Sequence, residues 1–299
     1  MFHVKQFSMK EINNCKICDG SEFKLFLNTK DYFYTKEEFT LSKCNNCGFV
    51  FTNPVPENLG RYYDTEEYLS HDTANVNIIS KIYGFIRNLN ISRKYNIVSS
   101  YVPRGTILDI GCGTGELLAF FKKNGWKTKG VEPNQKARQT AVSTNNVDVL
   151  GEDEINQIDL ESQDVVSMWH VLEHVEELNT RIAQVKRLTR KNGVMIFALP
   201  NLNSPDSKKY GKYWAGLDVP RHLYHFTEDS FSRLMDKHNL KLIKSIPMKF
   251  DAYYVSMLSE KYLKNSFGII RAIFSGFSSN TKAKKNNNYS SMIFVVKKV

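Results

Sequence analysis

Thr106-Ile-Leu-Asp-Ile-Gly-Cys-Gly-Thr-Gly-Glu-Leu-Leu118 joins three kinds of local signal in thirteen residues. Ile107 to Ile110 is a short apolar run of buried-strand type. Gly111, Gly113 and Gly115 let the backbone turn sharply and come close to a ligand, and helical spacing resumes from Glu116 to Lys123. The segment therefore predicts strand, glycine turn, helix. A pyrophosphate-binding turn of a dinucleotide enzyme has the same outline. Asp109 inside the strand end and the missing third glycine of GxGxxG argue against that reading. Cys112, within the turn, reads as a small packing residue rather than a nucleophile.

The pattern repeats outward from this turn. Lys129-Gly-Val-Glu132 predicts a second strand ending in an acid, 23 residues after Asp109. Val147-Asp-Val-Leu150 predicts a third strand followed by the acidic run Glu152-Asp-Glu154, and Asp164 to Trp169 a fourth. Leu178–Leu188 reads as a helix, Lys191-Asn-Gly193 as a turn, and Val194 to Asn201 as strand five. Upstream, apolar residues from about Val76 to Tyr101 recur at three- and four-residue spacing, as in an amphipathic helix or a broken pair, and Pro103-Arg-Gly105 ends it. Alternating helices and strands predict an α/β, doubly wound parallel sheet.

ILDIGCGTG resembles the first motif of the class I S-adenosylmethionine-dependent methyltransferases, and the following segments keep that family's order. The resemblance covers about residues 106–250 closely and the remainder loosely. It implies a Rossmann-like methyltransferase sheet with S-adenosyl-L-methionine as cofactor. It further implies that Asp109, Gly111, Cys112, Gly113 and Gly115 surround the cofactor, that Glu132 hydrogen-bonds the ribose hydroxyls, and that Glu152 or Asp153 lies beside adenine, with plain surface charge as the competing reading of that acidic run. Trp169 and His170 leave the fourth strand's carboxyl end, where ligands bind in open α/β sheets.

A second signature precedes this domain. Cys15-Lys-Ile-Cys18 and Cys44-Asn-Asn-Cys47 are CxxC pairs separated by 25 residues. Each pair can set two thiolates on one tetrahedral ion from a tight knuckle, and Gly48 can supply the positive φ such a turn needs. Phe23–Leu27 and Glu38–Ser42 predict a β-hairpin carrying the knuckles. Two disulfides are the competing reading and suit an apparently cytosolic chain poorly. The expectation is one structural Zn²⁺ on Cys15, Cys18, Cys44 and Cys47, with no position left for a catalytic water. Phe49-Val-Phe-Thr-Asn-Pro-Val-Pro56 then reads as a linker. The resulting organisation is a zinc-ribbon-like β module at 1–56, a linker and helical segment at 57–104, and a methyltransferase domain at 105–299 with a helical insertion at about 251–288. Pro220 to Thr227, PRHLYHFT, resembles a segment of bacterial methyltransferases that carry such an N-terminal CxxC…CxxC module and often look like partners of surface-polysaccharide or lipid biosynthesis.

Lys212 to Thr227 reads as a loop and gathers Trp214, Asp218, Arg221, His222, Tyr224 and His225. Loops that mix aromatic and titratable side chains on an α/β scaffold commonly build sites. His222, His225 and His170 are the candidate bases for an acceptor, His222 first, against a structural role for each. Phe250 to Phe277 predicts helices packed on the domain between the last two strands, with an interfacial helix pair meeting a lipid-linked substrate as the alternative.

The chain has 299 residues, 41 % hydrophobic, with 16 Gly and 8 Pro, which argues against collagenous, low-complexity or wholly disordered classes. No apolar run reaches the ~18 residues of a membrane span, and MFHVKQFSMKEINN lacks the features of a secretory signal; a cytoplasmic location is the default. The net charge of +10 lies entirely in the last fifth: residues 237–299 hold 12 Lys and Arg against Asp251 and Glu260. That tail is either a solvated face or an attraction to phosphate on a nucleotide-sugar, an anionic membrane or RNA. The expected activity is methyl transfer to a small-molecule acceptor: a sugar, nucleotide-sugar or lipid-linked intermediate, with weak membrane-surface contact allowed and oligomeric state open. An RNA methyltransferase is the alternative; segregated charge and the lack of an RNA-binding motif weigh against a stable nucleic-acid partner.

Overall fold

The computed structural model describes residues 8–63 and 78–299, with side chains between 78 and 88 excepted. The first seven residues, Tyr68 and the apolar side chains from Ile78 to Ile86 lie outside the described set. Two short sheets form the N-terminal part. β1 (Met9–Lys10), β2 (Phe23–Lys30), β3 (Glu38–Cys44), β4 (Val50–Thr52) and β5 (Val55–Pro56) precede the helix α1 (Ile78–Ser99). β2 and β3 pair antiparallel as a hairpin from Phe23↔Cys44 to Lys30↔Glu38.

The main sheet alternates as expected: β6 (Thr106–Ile110), α2 (Glu116–Lys123), β7 (Lys127–Val131), α3 (Gln135–Ser143), β8 (Asp148–Leu150), β9 (Gln163–Trp169), α4 (Leu178–Leu188) and β10 (Thr189–Pro200). There follow α5 (Pro205–Tyr210), β11 (Tyr224–His225), α6 (Glu228–Lys237), β12 (Leu240–Pro247), α7 (Asp251–Tyr262), α8 (Gly268–Ala283) and β13 (Ser291–Lys298). The seven-stranded order is β12-β13-β10-β9-β6-β7-β8. β10, β9, β6, β7 and β8 run parallel, and β13 is antiparallel to both of its neighbours. The chain leaves β6 for β7 on one side and returns to β9 on the other, so a crevice opens above the carboxyl ends of β6 and β9.

Neighbouring strand residues face opposite layers. Ile107, Val165 and Ile196 pack with Leu118 and Phe121 on one face, while Leu108, Val166 and Phe197 pack with Ile182 and Phe231 on the other. Burial on both faces explains why these strands read as continuous apolar runs rather than alternating ones.

Three details differ from the sequence expectation. Lys191-Asn-Gly193 is no turn: β10 runs through it, with a register shift between Thr189 and Val194. Phe49 to Pro56 is no linker. It contains β4 and β5, and Phe49 and Phe51 are each 1 % exposed; burying such a phenylalanine contributes about 1.5–3 kcal/mol. The segment 212–227 is no free loop either, because β11 pairs with β4 through Tyr224↔Phe51 and His225↔Val50. That small sheet is therefore β11-β4-β3-β2, and the last strand of the cysteine-bearing module comes from the far side of the chain.

Candidate active site and cysteine cluster

At the end of β6 the chain enters left-handed backbone at Gly111, Gly113 and Gly115, with φ of 73°, 55° and 79°. A Cβ on Gly111 would meet Val171 at 2.4 Å, whereas nothing lies within 4 Å of one on Gly113, which fronts an open cavity. Gly115 is the N-cap of α2. The Cys112 sulfur sits against Gly130, where a Cβ would stand 2.5 Å from it, and burial pushes its thiol pKa far up, as fits a packing residue. At the end of β7, Glu132 accepts hydrogen bonds from the Gly113 and Asn134 N–H groups, each 2.9 Å. Burial raises its carboxyl pKa while these donors oppose the rise.

Asp109 is 3 % exposed and accepts a 2.6 Å hydrogen bond from the Ser167 hydroxyl. Burial pushes its pKa up to about 7. From α1, Lys94 places its ammonium 4.5 Å from the centre of the Trp169 ring; burial lowers its pKa, and Asp109 and Asp251 oppose that. The Trp169 indole N–H is buried and has no partner. Asp109, Gly113, Lys94 and Trp169 all line one cavity of about 2130 Å³.

The acidic turn after β8 does something else. Glu152 pairs with Arg181 of α4, Glu154 accepts from the Gly151 N–H at 2.7 Å, and neither Glu152 nor Asp153 lines the cavity. These charges fasten their own turn to the neighbouring helix.

The histidines separate sharply. His170 follows β9 with φ of 58°, its Nδ1 3.4 Å from Glu173 and its Nε2 3.3 Å from Asp251. Burial disfavours its charge, yet Asp251 and Glu173 hold the pKa up to about 9. Both of its ring nitrogens therefore face carboxylates. His225 is 4 % exposed, 3.3 Å from the Thr52 hydroxyl, outside the cavity lining, and burial pushes its pKa down to about 3. The β11–β4 pairing holds it within the module interface. His222 does line the cavity, together with His174. Its Nδ1 lies 2.9 Å from the Gly216 carbonyl, and the two imidazoles stand edge to face at 4.6 Å. Burial and His222 push the His174 pKa down to about 4.

Lys94 and Asp251 escape the sequence reading because each sits beside this site only through the fold, on helices far from the glycine turn in sequence. Glu173 lies inside the quoted fourth-strand motif, and its signal was the His-x-x-Glu-His spacing. At the cavity wall, Arg221 joins Asp218 and the buried Asp31, linking the segment after α5 to the turn after β2.

In the N-terminal module the four sulfurs of Cys15, Cys18, Cys44 and Cys47 lie within 4.8 Å of one another. Cys15 and Cys47 are 3.5 Å apart, as are Cys18 and Cys44. A disulfide needs ~2.05 Å. Four thiolates on a tetrahedral Zn²⁺ at ~2.3 Å stand about 3.8 Å apart, close to what is seen. Gly48 has the positive φ, 75°, that the second knuckle requires. The donor set fits a structural zinc ion.

Residues 90–245, just over half the chain, match the family model described as a methyltransferase domain, and the chain belongs to that family. It is accordingly an S-adenosylmethionine-dependent methyltransferase with the Rossmann-like fold of that class. Among solved structures it is similar to magnesium protoporphyrin IX methyltransferase from Synechocystis, crystallised with S-adenosylhomocysteine: 16 % identity, TM-score 0.51, covering 80 % of this chain and 97 % of that one. It is also similar to geranyl diphosphate C-methyltransferase from Streptomyces coelicolor, at 12 % identity and TM-score 0.51, covering 76 % and 88 %. A third is phosphoethanolamine N-methyltransferase 2 from Haemonchus contortus, at 14 % identity and TM-score 0.52, covering 92 % and 68 %. These likenesses show the fold. No curated protein matches the sequence.

Proposed function

We propose that this methyltransferase acts on a small amphiphilic acceptor, a lipid-linked intermediate with a polar head, taken from an anionic membrane surface. Asp109, Glu132, the Gly111–Gly115 turn and Trp169 are the residues that would hold the cofactor, which when bound supplies an electrophilic methyl group on a sulfonium. The glycine turn presents backbone without side chains, and the unpartnered Trp169 N–H offers a donor at the cavity wall. His174 and His222 meet the acceptor's polar end, and the surrounding apolar walls exclude water, so alignment supplies most of the rate.

The observation that carries the lipid-linked reading is the reversed amphipathy of α8. Its buried stripe is small: Ala272, Ser275, Gly276, Ser279 and Ala283. Its large apolar residues point outward, with Ile269, Phe274, Phe277 and the N-cap Phe267 at 64–72 % exposure. Exposed Lys261, Lys264, Arg271, Lys282, Lys284 and Lys285 flank it. Ile269 and Ile273 also line the cavity, so the apolar face and the cavity mouth are continuous. Large apolar side chains between cations suit a helix lying in the headgroup region of an anionic bilayer. No helix among the described residues is long and apolar enough to span a membrane.

The test is co-sedimentation with vesicles, with or without phosphatidylglycerol, followed by transfer of labelled methyl groups into extracted membranes. Binding to the anionic vesicles, loss of it in Ile269→Ser/Phe274→Ser, and label in the organic phase are expected. Equal failure to bind both vesicle types, with label only in water-soluble products, would overturn the reading.

A further inference from the structure

We propose that Glu173, His174 and His222 hold a divalent transition-metal cation at the floor of the acceptor cavity, with zinc best matched to the donors and open positions facing the acceptor. The inference rests on the reading of this cavity as the acceptor site. One ligand atom from each residue lies within 4.8 Å of the others, a span that rotation of the side chains closes around a cation bonded at ~2.0–2.2 Å.

Three independent features point the same way. The first is the state of the imidazoles. His222 Nδ1 is 2.9 Å from the Gly216 carbonyl and His174 Nδ1 is 3.1 Å from the Arg221 carbonyl. A carbonyl only accepts, so this contact suits an Nδ1 that carries the hydrogen, the tautomer whose Nε2 lone pair is free for a metal. Metal-ligating histidines are fixed in this manner, one nitrogen donating to a backbone carbonyl while the other binds. Tyr63 adds its hydroxyl 3.0 Å from His174 Nδ1.

The second is Glu173. It is 0 % exposed, and neither carboxylate oxygen has a hydrogen-bond partner. A buried carboxylate calls for compensating charge on both oxygens, and the His170 ring meets only one of them. His170 stands 3.4 Å from one oxygen, but it also faces Asp251 at 3.3 Å and leaves the second Glu173 oxygen unmatched. The third is access: both histidines line the cavity while Glu173 lies beneath it, so a cation between them has protein on one side and ligand space on the other.

Two imidazoles and one carboxylate with a free position form the donor set of a catalytic rather than a closed zinc site. It is chemically distinct from the four thiolates in the N-terminal module. An acceptor oxygen, hydroxyl or phosphate, is the chemistry it takes. A hydroxyl ligated there ionises at lower pH, its proton passing to solvent and its oxygen keeping the electron pair that forms the bond to the methyl carbon. That carbon leaves the sulfonium, which retains the electrons of the broken C–S bond as a thioether.

The full chain, purified without chelator and equilibrated with zinc, would be desalted and its metal counted, with cofactor affinity measured by calorimetry on the same samples. Two zinc equivalents per chain are expected in the wild type, one in Glu173→Gln and one in His222→Asn, each keeping the cofactor affinity and the thiolate-bound equivalent. A single equivalent in the wild type, or two in both variants, would overturn the proposal; the pairing of Glu173 with protonated His170 would then account for the buried charge. Failure of the wild type to bind cofactor, with the zinc count intact, would strike the functional reading and leave this site standing.

Discussion

Arg221 and Asp31 form an ion pair 2.9 Å long with side chains 1 % and 0 % exposed, closing a contact across 190 residues. The Asp31 carboxylate also takes the N–H groups of Phe33, Tyr34 and Thr35, so both of its oxygens are satisfied. Removing one partner of a buried pair costs about 3–5 kcal/mol, because the other charge is left uncompensated. Asp31→Asn is therefore expected to lower stability on that scale in urea melts at pH 7. The acid limb gives the sign: burial works against the Asp31 charge, but Arg221 and the N–H donors hold its pKa below the ordinary value. Its contribution is then fully present above the unfolded pKa of ~3.9 and is lost as pH falls through the lower folded value. Melts between neutral pH and pH ~3 should show this component in the wild type and not in Asp31→Asn. Parallel curves for the two proteins would contradict it.

Glu132 bridges the ends of β7 and the glycine turn, so its replacement tests two things together. Glu132→Ala should weaken S-adenosylmethionine binding by roughly 1.5–3 kcal/mol, the scale of hydrogen bonds to a charged group. Because the Gly113 and Asn134 N–H groups lose their acceptor as well, a fall in the thermal midpoint should accompany it. Glu132→Gln, which keeps one oxygen, should lose less of both. Calorimetry on the folded variants decides the matter, and unchanged affinity in Glu132→Ala would remove it from the cofactor's surroundings.

Cys44 belongs to both the module's core and its sulfur cluster, being 1 % exposed. Cys44→Ser should release the thiolate-bound zinc and loosen the β2–β3 hairpin. Proteolysis should then cut between residues 19 and 43 faster than in the wild type. An unchanged metal count after this substitution would refute the four-cysteine assignment.

His222 and His225, three residues apart, should behave as opposites. His222→Asn is expected to cut turnover by roughly 10²–10⁴-fold, the scale of lost help in ionising the acceptor, with little change in cofactor affinity. His225→Asn should lower the thermal midpoint through the β4–β11 seam while the folded fraction turns over near the wild-type rate. Steady-state kinetics at matched folded concentration separates the two, and equal turnover losses would place both at the acceptor.

The middle of the central sheet was readable because β6, β9 and β10 carry buried residues on both faces, so local pattern and tertiary role agree there. The cysteine spacing was readable for a similar reason: four ligands in two turns leave few alternatives. Phe49 to Pro56 misled because Pro54 and Pro56 are breakers by local rule, while the strand they interrupt is completed by residues 170 positions later. Tyr224-His225 is too short to carry a period of two, and its pairing is set wholly by tertiary contact. The pairing of Glu152 with Arg181 was not legible because an acid beside an arginine and an acid beside a ligand look alike in one dimension. Lys94 and Asp251 converge on the site from helices whose placement no local pattern encodes.

The β11–β4 seam has a consequence for how the chain is made. Val50 to Thr52 emerge early, and both cysteine knuckles are complete before the first strand of the catalytic sheet exists. Yet β4 gains its second neighbour only when Tyr224 and His225 leave the ribosome, some 170 residues afterwards, a delay of roughly 10–30 s at ordinary elongation rates. During that interval an apolar strand edge bearing Phe49 and Phe51 stands uncovered on the nascent chain. The N-terminal module is thus a scaffold laid down first and sealed late, and a chain shortened anywhere before residue 225 leaves that edge available for pairing with another molecule.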